Sequence, residues 1–481
     1  MELEEVLNRT VKSVIALTSR SVVLLLIQAV AYSLLIAFLG AQEIGIFIVV
    51  SAILRVFTFF TDLGLGAALI QKKENLDQDD LRSAFTIQTA LVLIIIAVAF
   101  ALTPLVRSYA NLDPAGVFLY QVLAFTLLIS SLKMIPSILL ERQLRFEKQI
   151  IPQIVEALVF NSLVVILAAK HFGVASYSWA ILVSSLAGLP VYYLISPWRI
   201  SLGLSKDVAK HLIRYGLPFQ GKSVLAIIKD DLLVFFLSGI VGTAGIGYWG
   251  TAQKFAYYPF RLLVDTLTKV TFPAYSRIQL EKEALRIGIE KSLLAVSLLL
   301  FPVLTLIAVL AHNLVYLIPK YQKWEPSLPS LYFLCAGAAV SALSNILVNA
   351  LDATGHVKTT LGLMVMWIVL TWVGTLVLVA KFGFTGIAMA SFVVALTIIL
   401  TIYLVKRVVN FRFLGSIFKP FLGSLLMGLS VFALIQVLPI SFPALLLEGI
   451  AGAIIYLGAM YLLARKELLA DLRIVIKTFR K

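Results

Sequence analysis

Charged residues are scarce in this chain: they make up 14% of its 481 residues, whereas hydrophobic residues make up 60% and the mean hydropathy is +0.99. A soluble domain contains about 25% charged and about 45–50% apolar residues. The chain therefore carries more apolar surface than a soluble core buries, and its composition excludes a soluble protein. Short segments of alternating polar and apolar residues are also few, which argues against a transmembrane β-barrel.

Cysteine and histidine are also scarce. Cys335 is the only cysteine, so the chain forms no intramolecular disulfide. The four histidines are scattered and do not show the spacing of a metal-ligand cluster. A basic leader is lacking as well, because the chain opens with the acidic sequence Met1-Glu-Leu-Glu-Glu5. We therefore expect no cleavable signal peptide and no metal site.

Long apolar runs dominate the sequence instead. A run of about 20 apolar residues spans a bilayer as an α-helix. The runs in this chain predict an all-α membrane protein with fourteen transmembrane spans. The predicted spans are 18–39, 44–70, 83–107, 115–140, 149–169, 174–196, 213–239, 242–270, 288–310, 328–351, 358–380, 386–405, 417–438 and 442–464.

The distribution of basic residues supports this count. If both termini are cytoplasmic, 27 of the 40 Lys and Arg residues lie in cytoplasmic segments, 5 in external loops and 8 inside spans. The positive-inside rule predicts such a bias, and one missed span would disturb the alternation beyond it. We therefore expect a multi-pass membrane protein with an even number of spans and both termini in the cytoplasm. The basic tail 465–481 has the apolar spacing of an amphipathic helix that docks on the membrane surface.

An internal repeat is visible at an offset of about 200 residues. Gly40-Ala-Gln-Glu-Ile-Gly45, before span two, resembles Gly242-Thr-Ala-Gly-Ile-Gly247, before span eight. Ala169-Lys-His-Phe-Gly173 resembles Ala380-Lys-Phe-Gly383 in the same way. Both matches join spans six apart, which is typical of two parallel six-helix lobes. The predicted domains are an N-terminal lobe (1–205), a C-terminal lobe (206–405) and two appended spans with the basic tail (406–481).

Several longer strings resemble polysaccharide transporters of the multidrug/oligosaccharidyl-lipid/polysaccharide exporter superfamily. The strings are Asp62-Leu-Gly-Leu-Gly-Ala-Ala-Leu-Ile-Gln-Lys-Lys73, Leu76-Asp-Gln-Asp-Asp-Leu-Arg-Ser-Ala-Phe85, Glu141-Arg-Gln-Leu-Arg-Phe-Glu-Lys148, Tyr257-Tyr-Pro-Phe-Arg261, Phe272-Pro-Ala-Tyr-Ser-Arg277 and Ala350-Leu-Asp-Ala-Thr-Gly355. The resemblance covers nearly the whole chain and implies two six-helix lobes around a central cavity that opens alternately to each side. It also implies a lipid-linked oligosaccharide as cargo, as for Wzx-type flippases. Lipid II flippases and drug antiporters share the fold, so the fold alone does not choose among them.

One familiar motif is interpreted as coincidental. Gly216-Leu-Pro-Phe-Gln-Gly-Lys-Ser223 matches the P-loop pattern G-x-x-x-x-G-K-S. A P-loop lies between a strand and a helix, and its backbone amides surround the phosphates. Here the flanking residues predict the start of span seven, and no βαβ pattern accompanies them. We therefore expect no ATP site.

Charged residues inside the predicted spans are the candidate site residues. Each costs about 2.5–3.5 kcal/mol to insert, so its presence needs a reason. The basic residues interpreted as lining a substrate-binding cavity are Arg55, Lys222, Lys229, Lys254 and Arg261. The acidic residues interpreted as coupling an ion or balancing charge are Asp62, Asp230, Asp231 and Asp265.

Spacing places most of these residues on shared helical faces, because residues seven apart align on a helix of 3.6 residues per turn. The pairs are Arg55 with Asp62 on span two, Lys222 with Lys229 on span seven, and Lys254 with Arg261 on span eight. Asp265 lies four residues beyond Arg261, close enough for an ion pair. Three charged stripes around one water-filled cavity would suit an anionic cargo such as a diphosphate.

A structural role is the alternative interpretation for some of these charges. Arg20, Lys133 and Lys269 lie near predicted span ends, from which long side chains reach the headgroups. Arg261 and Asp265 fit a purely structural ion pair as well. For Arg55, Lys222, Lys229 and Lys254 together, cavity lining is the favoured interpretation.

Together with the resemblance, these observations predict a flippase for undecaprenyl-diphosphate-linked oligosaccharides in a prokaryotic cytoplasmic membrane, rather than an enzyme. It would use no cofactor and would be driven by a Na⁺ or H⁺ gradient, the membrane potential or consumption of the cargo. Expected partners are the cargo, the bilayer and polysaccharide polymerase machinery. Nucleic acid is not expected, because the basic loops face an anionic leaflet. The alternatives are a cation-coupled multidrug antiporter, a lipid II flippase, and a membrane-embedded glycosyltransferase or polymerase. The excess of bases within spans argues against the antiporter, and short external loops argue against the glycosyltransferase.

Overall fold

A computed structural model describes residues 22–61, 64–72, 74, 76–210, 214 and 227–479, with side chains as far as residue 463. Regular secondary structure in this part of the chain is entirely helical, which confirms the predicted fold class. The chain divides into two compact units, residues 1–247 and 248–481. The predicted lobes 1–205 and 206–405 stay a prediction.

Unit 1 contains seven labelled helices before its closing segment. They are α1 (Val22–Phe38), α2 (Ala41–Thr61), α3 (Leu65–Gln71), α4 (Gln78–Tyr109), α5 (Pro114–Arg142), α6 (Phe146–Ala169) and α7 (Ala175–Ile195). The central helix of this group is α5, which packs against α2, α4 and α7. A π-helical turn, Ile228–Leu232, then leads into α8 (Leu233–Phe260), and α8 continues across the boundary into unit 2.

Unit 2 continues from α8 through a second π-helical turn, Arg261–Asp265. Its further helices are α9 (Thr266–Arg277), α10 (Lys282–Leu317), α11 (Leu328–Ala353), α12 (Val357–Phe382), α13 (Thr385–Ala395), α14 (Ile398–Val408), α15 (Phe413–Val437) and α16 (Phe442–Phe479). A 3₁₀ segment, Pro319–Ser327, joins α10 to α11. The core of this unit forms where α10 packs against α11 and α15, and where α11 and α12 enclose α13.

Twelve helical stretches among the described residues are long and apolar enough to cross a membrane. The stretch Ile228–Arg277 counts as one of them, although Gly242 interrupts its helical geometry with φ 71° and ψ 166°. The shorter apolar helix α1 adds a further candidate. Multi-pass membrane architecture is thus confirmed, while the count of fourteen stays a prediction. The basic tail continues α16 as backbone helix without a break to Phe479.

Local sequence signals explain where several helices begin. Asp77 caps the start of α4, since its side chain accepts a hydrogen bond from the Asp80 N–H at 2.7 Å, and the Asp80 carboxylate accepts one from the Asp77 N–H at 3.1 Å. The hydrogen bond from the Asp80 N–H lowers the pKa of Asp77. Asp113 caps α5 in the same way, and Pro114 occupies its first turn. The pairs Asp113-Pro114 and Phe442-Pro443 thus each mark the start of a helix.

Residues of the family-like strings tie three helices of unit 1 together at one end. Lys72, just after α3, forms an ion pair with the buried Asp80 of α4 at 2.6 Å. Arg142, at the end of α5, donates hydrogen bonds to the carbonyl oxygens of Leu69 and Glu74. These contacts assign the strings around 62–85 and 141–148 a structural role in joining α3, α4 and α5.

Candidate functional site

The strongest polar contact among the predicted site residues joins Arg55 of α2 to Asp231 of the first π-helical turn. The Arg55 Nε donates to Asp231 Oδ1 at 2.6 Å, within unit 1. The Asp231 side chain is only 12% exposed, whereas the Arg55 side chain is 56% exposed. Within the described residues the terminal nitrogens of Arg55 form no hydrogen bond, so part of the guanidinium remains open to a ligand.

Two further charges sit beside this ion pair. Lys229 Nζ lies 3.7 Å from Asp230 Oδ1, and both side chains are well exposed. The turn 228–232 that carries them is wound as a π-helix, a rare geometry that is often found at functional sites. One short turn thus carries the exposed Lys229 and Asp230 next to the largely buried Asp231 that pairs with Arg55.

The aromatic ring of Tyr109 holds the segment that follows this turn. The Tyr109 hydroxyl, at the end of α4, donates to the Phe236 carbonyl oxygen at 2.9 Å, and its ring lies 4.9 Å from that of Phe235. A Cβ atom on Gly239 would lie 2.7 Å from the Tyr109 ring, so a side chain at that position would displace the ring. These contacts fix the position of the π-helical turn relative to α4.

The two repeat-related glycine strings contact each other directly. A Cβ atom on Gly45 would lie 1.7 Å from the Thr243 carbonyl oxygen, and a Cβ on Gly247 would lie 1.8 Å from the Ala41 carbonyl oxygen. Both pairs follow the offset of 202 that relates the strings, since Ala41 corresponds to Thr243 and Gly45 to Gly247. The contact is therefore reciprocal, and the backbones of α2 and α8 approach closely because neither glycine has a side chain.

The glycine contact lies at the N-terminal end of α2, whereas Arg55 lies further along that helix, beside its partner Asp231. Ten residues of helix separate Gly45 from Arg55, a distance of about 15 Å. In the predicted topology both glycine strings follow external loops, so Arg55 and Asp231 would lie about halfway through the hydrocarbon core. Unit 1 thus has a tight contact at the predicted external end and a polar cluster near the predicted membrane centre.

The predicted residues of span eight belong to unit 2. Lys254 on α8 is partly buried, whereas Arg261 and Asp265 are exposed on the second π-helical turn. Within the described part of the chain no ion pair forms between Arg261 and Asp265, so this predicted pair is wrong. The prediction assumed regular α-helical spacing, which the π-helical winding of Arg261–Asp265 replaces.

Other predicted residues lie outside the described residues. They are Arg20, Asp62, Lys222 and the P-loop-like string Gly216–Ser223. The structure therefore brings together Arg55, Lys229, Asp230 and Asp231 in unit 1. The roles assigned to all of the predicted site residues stay predictions.

The interpretation of Lys133 as a residue that reaches the headgroups is wrong. Its side chain is 11% exposed and forms an ion pair with Glu156 of α6 at 2.6 Å. Glu156 lies close over α7, where a Cβ atom on Gly188 would be 1.8 Å from its Oε1. The sequence holds a usable signal: Lys133 lies nine residues before the end of α5, and Glu156 lies ten after the start of α6. When two antiparallel helices are joined by one turn, residues equally far from that turn lie at the same depth in the membrane. Opposite charges at such positions can therefore form an ion pair.

Another acid, Glu448 of α16, is fully buried in unit 2. The Asn313 amide of α10 donates to both of its carboxylate oxygens, at 3.3 and 3.4 Å. The sequence pattern did not identify Asn313 as the partner of Glu448. An amide inside an apolar helix signals a polar contact with a neighbouring helix.

Comparison with known proteins gives a consistent result across the chain. A family model described as "Polysaccharide biosynthesis protein" matches residues 34–329. The lipopolysaccharide biosynthesis protein WzxC of Escherichia coli is 23% identical over 70% of this chain and 68% of its own length. The succinoglycan biosynthesis transport protein ExoT of Rhizobium meliloti is 22% identical over 93% of this chain and 91% of its own.

Solved structures agree on the fold. The lipid II flippase MurJ, in an inward closed conformation, superimposes with a TM-score of 0.74 at 15% identity, covering 95% of this chain and all of that one. At this identity the likeness concerns the fold alone. It confirms a helical membrane transporter fold for the described helices.

Proposed function

The chain belongs to the polysaccharide biosynthesis protein family, and from that premise we propose that it is a flippase. Its cargo is an oligosaccharide linked to undecaprenyl diphosphate, which it moves outward across the cytoplasmic membrane for surface polysaccharide synthesis. The names of two relatives, a lipopolysaccharide biosynthesis protein and a succinoglycan biosynthesis transport protein, support this cargo class. The transporter fold supports a translocation step rather than a catalytic one.

The open guanidinium of Arg55 is the observation that carries the cargo assignment. Asp231 occupies only its Nε, so the terminal nitrogens are free to donate to phosphate oxygens in the fork geometry that arginine provides. Lys229 adds a second exposed positive charge on the neighbouring turn. Lys222, Lys254 and Arg261 stay candidate cargo-binding residues on sequence grounds, as basic residues of the predicted spans seven and eight. A neutral or cationic cargo would gain nothing from these charges.

Alternating access would operate through the glycine contact of α2 with α8. In the present state the backbones meet at Gly45 and Gly247, which closes the predicted external end beside the cluster. Release of the cargo outward requires this contact to separate, while Arg55 and Asp231 part or turn with their helices. Because the contact is reciprocal, one small movement of α2 away from α8 separates Gly45 from Thr243 and Gly247 from Ala41 at the same time.

The acidic residues of the cluster offer a route for energy coupling. Asp231 neutralises Arg55 while the cargo is absent, and the exposed Asp230 is open to Na⁺ or H⁺. Asp62 and Asp265 are assigned the same charge-balancing role. We propose no nucleotide cofactor, so the driving force is an ion gradient, the membrane potential or the consumption of cargo by polymerase machinery. If transport is coupled to an ion, the transport rate should change when the gradient of that ion is changed.

The test is translocation in liposomes that contain the purified protein. A labelled undecaprenyl-diphosphate oligosaccharide is offered beside lipid II and a cationic dye. We expect transport of the first. Preference for lipid II would support the lipid II flippase, and efflux of the dye coupled to a cation would support the multidrug antiporter; either result would overturn the proposed cargo.

A single variant tests the cationic cluster. Lys229→Gln removes one charge-assisted contact, worth about 1.5–3 kcal/mol, so cargo binding should weaken about 10- to 150-fold. Lys229 is well exposed and its neighbour Asp230 more so, hence the substitution leaves no buried charge unpaired and membrane abundance should be normal. Lys282→Gln, an exposed lysine at the start of α10, is the matched control. If the Lys229→Gln and Lys282→Gln variants bound the cargo equally well, Lys229 would not be part of the binding site.

A further inference from the structure

A groove on the lipid-facing side of unit 2 runs between α12 and the helix pair α13–α14. Its volume is about 650 Å³. It is lined by Met366, Val393, Leu396, Thr397, Ile399, Leu400 and Tyr403. These residues belong to apolar helices long enough to span the membrane, and Ile399 is 74% exposed. The groove therefore opens toward the hydrocarbon of the bilayer.

A local break in α-helical hydrogen bonding lies beside this groove. Leu396 and Thr397, between α13 and α14, keep right-handed helical dihedral angles, but the Thr397 N–H donates to the Val394 carbonyl oxygen, three residues back, at 3.1 Å. The Thr397 hydroxyl donates to the Val394 carbonyl oxygen at 2.7 Å and accepts a hydrogen bond from the Trp367 indole of α12 at 2.8 Å. Trp367 thus ties the break to α12 and satisfies a polar group that would otherwise face lipid.

The groove ends beside two exposed cations. Lys406 and Arg407 stand in the last turn of α14 and form no ion pair within the described part of the chain. The Arg407 guanidinium lies 4.6 Å from the centre of the Tyr403 ring and donates to the Tyr403 hydroxyl. Tyr403, which lines the groove, therefore holds Arg407 over its open end.

The dimensions and charge of this surface match one class of ligand. Ten residues of helix separate Val393 from Tyr403, about 15 Å, which equals half the hydrocarbon thickness of a bilayer. An acyl chain fills such a length, and the phosphate of its headgroup then lies level with Lys406 and Arg407. We propose that this groove binds an anionic phospholipid of the leaflet that faces the end of α14, with one acyl chain between α12 and α14 and its phosphate on Arg407 and Lys406.

This site is separate from the proposed transport function, so its test uses no transport measurement. The purified protein in detergent is mixed with equal amounts of phosphatidylglycerol and phosphatidylcholine that carry the same acyl chains. Bound lipid is counted by native mass spectrometry. We expect preferential retention of phosphatidylglycerol. Equal retention of the two lipids would overturn the proposal, because the headgroup charge would then play no part.

Variants locate the site. Each cation near the membrane surface contributes about a 5-fold gain in affinity for anionic lipid, so Arg407→Gln with Lys406→Gln should lower retention of phosphatidylglycerol about 25-fold. Leu400→Trp should fill the groove and displace both lipids. Arg277→Gln, at the exposed end of α9, is the control and should retain lipid as the wild type does.

Two outcomes contradict the assignment. Unchanged retention in the double variant places the lipid elsewhere on the protein. Displacement of phosphatidylglycerol by undecaprenyl phosphate at equal concentration assigns the groove to the prenyl chain of a lipid carrier. All substituted residues are exposed or half-buried at the membrane surface, so a single elution peak in size exclusion is expected for each variant.

Discussion

The Thr243 carbonyl oxygen occupies the space that a Cβ atom on Gly45 would need, at 1.7 Å from it. Atoms that are not bonded do not approach so closely, so this pair of residues accepts glycine alone unless the backbones of α2 and α8 move apart. The same holds for Gly247 against the Ala41 carbonyl oxygen. The proposed transport cycle requires α2 and α8 to separate. Substitutions at Gly45 and Gly247 therefore test whether this contact takes part in transport.

Gly45→Ala should disfavour the packed state and impair transport. In an open helical position this change adds about 0.5–1 kcal/mol of stability, but here the new methyl group collides with backbone. In a background without Cys335, cysteines at Ala41 and Thr243 should cross-link readily, and Gly45→Ala should reduce the yield. Gly247→Ala should have the same effect, because its contact is the reciprocal one.

Gly362→Ala and Gly449→Ala are the matched controls, since a Cβ atom at either position meets no atom within 4 Å. Both variants should transport normally and melt at the wild-type temperature or slightly above it. If Gly45→Ala behaved as they do, the close approach of α2 to α8 would be refuted.

Lys133→Met should lower thermal stability in detergent and membrane abundance. It leaves the partly buried Glu156 without its partner between α5, α6 and α7, and the cost of about 3–5 kcal/mol for breaking a fully buried pair is an upper bound here, because Glu156 is 30% exposed. Lys133→Met with Glu156→Gln should recover most of the loss, because two neutral groups need no charge partner. Lys269→Met, at an exposed position of α9, should change neither measurement. A double variant that is no more stable than the single one would show that the pair is not the cause.

Membrane topology follows from the charge distribution and is tested by thiol labelling. With the buried Cys335 replaced, single cysteines at Lys170 and Lys381 should react with an impermeant reagent applied to sealed cells. Cysteines at Arg145 and Arg407 should react only after permeabilisation. External labelling of the Arg407 variant would contradict both the fourteen-span topology and the cytoplasmic termini.

Ser223→Ala tests the interpretation of the P-loop-like string. A nucleotide site would need the Ser223 hydroxyl for Mg²⁺, whereas a helix entry does not. Transport should remain near the wild-type rate, and neither protein should bind ATP in equilibrium dialysis. ATP binding that disappears in the variant would instead identify Gly216–Ser223 as a nucleotide site.

Much of the architecture was predictable because its causes are local. Hydropathy identifies a membrane span from the local sequence alone, because every polar residue along the helix costs free energy to transfer into lipid. The start of α5 at Pro114 follows from Asp113 as its cap, and the start of α4 from the exchange of hydrogen bonds between Asp77 and Asp80. Gly173 and Gly383, which end the second pair of repeat strings, both adopt positive φ, so the repeat extends to backbone geometry.

Only the tertiary structure decided which side chains meet. Spacing related Arg55 to Asp62 on its own helix, whereas its observed partner Asp231 lies 176 residues further along the chain. The sequence predicts that Lys133 lies near a span end, whereas the packing of α6 beside α5 pairs it with Glu156. Rotation of each helix about its axis and the choice of its neighbours are properties of the packed bundle. A sequence determines how deep a charge lies in the membrane, but the face it turns to another helix depends on all the contacts of that helix at once.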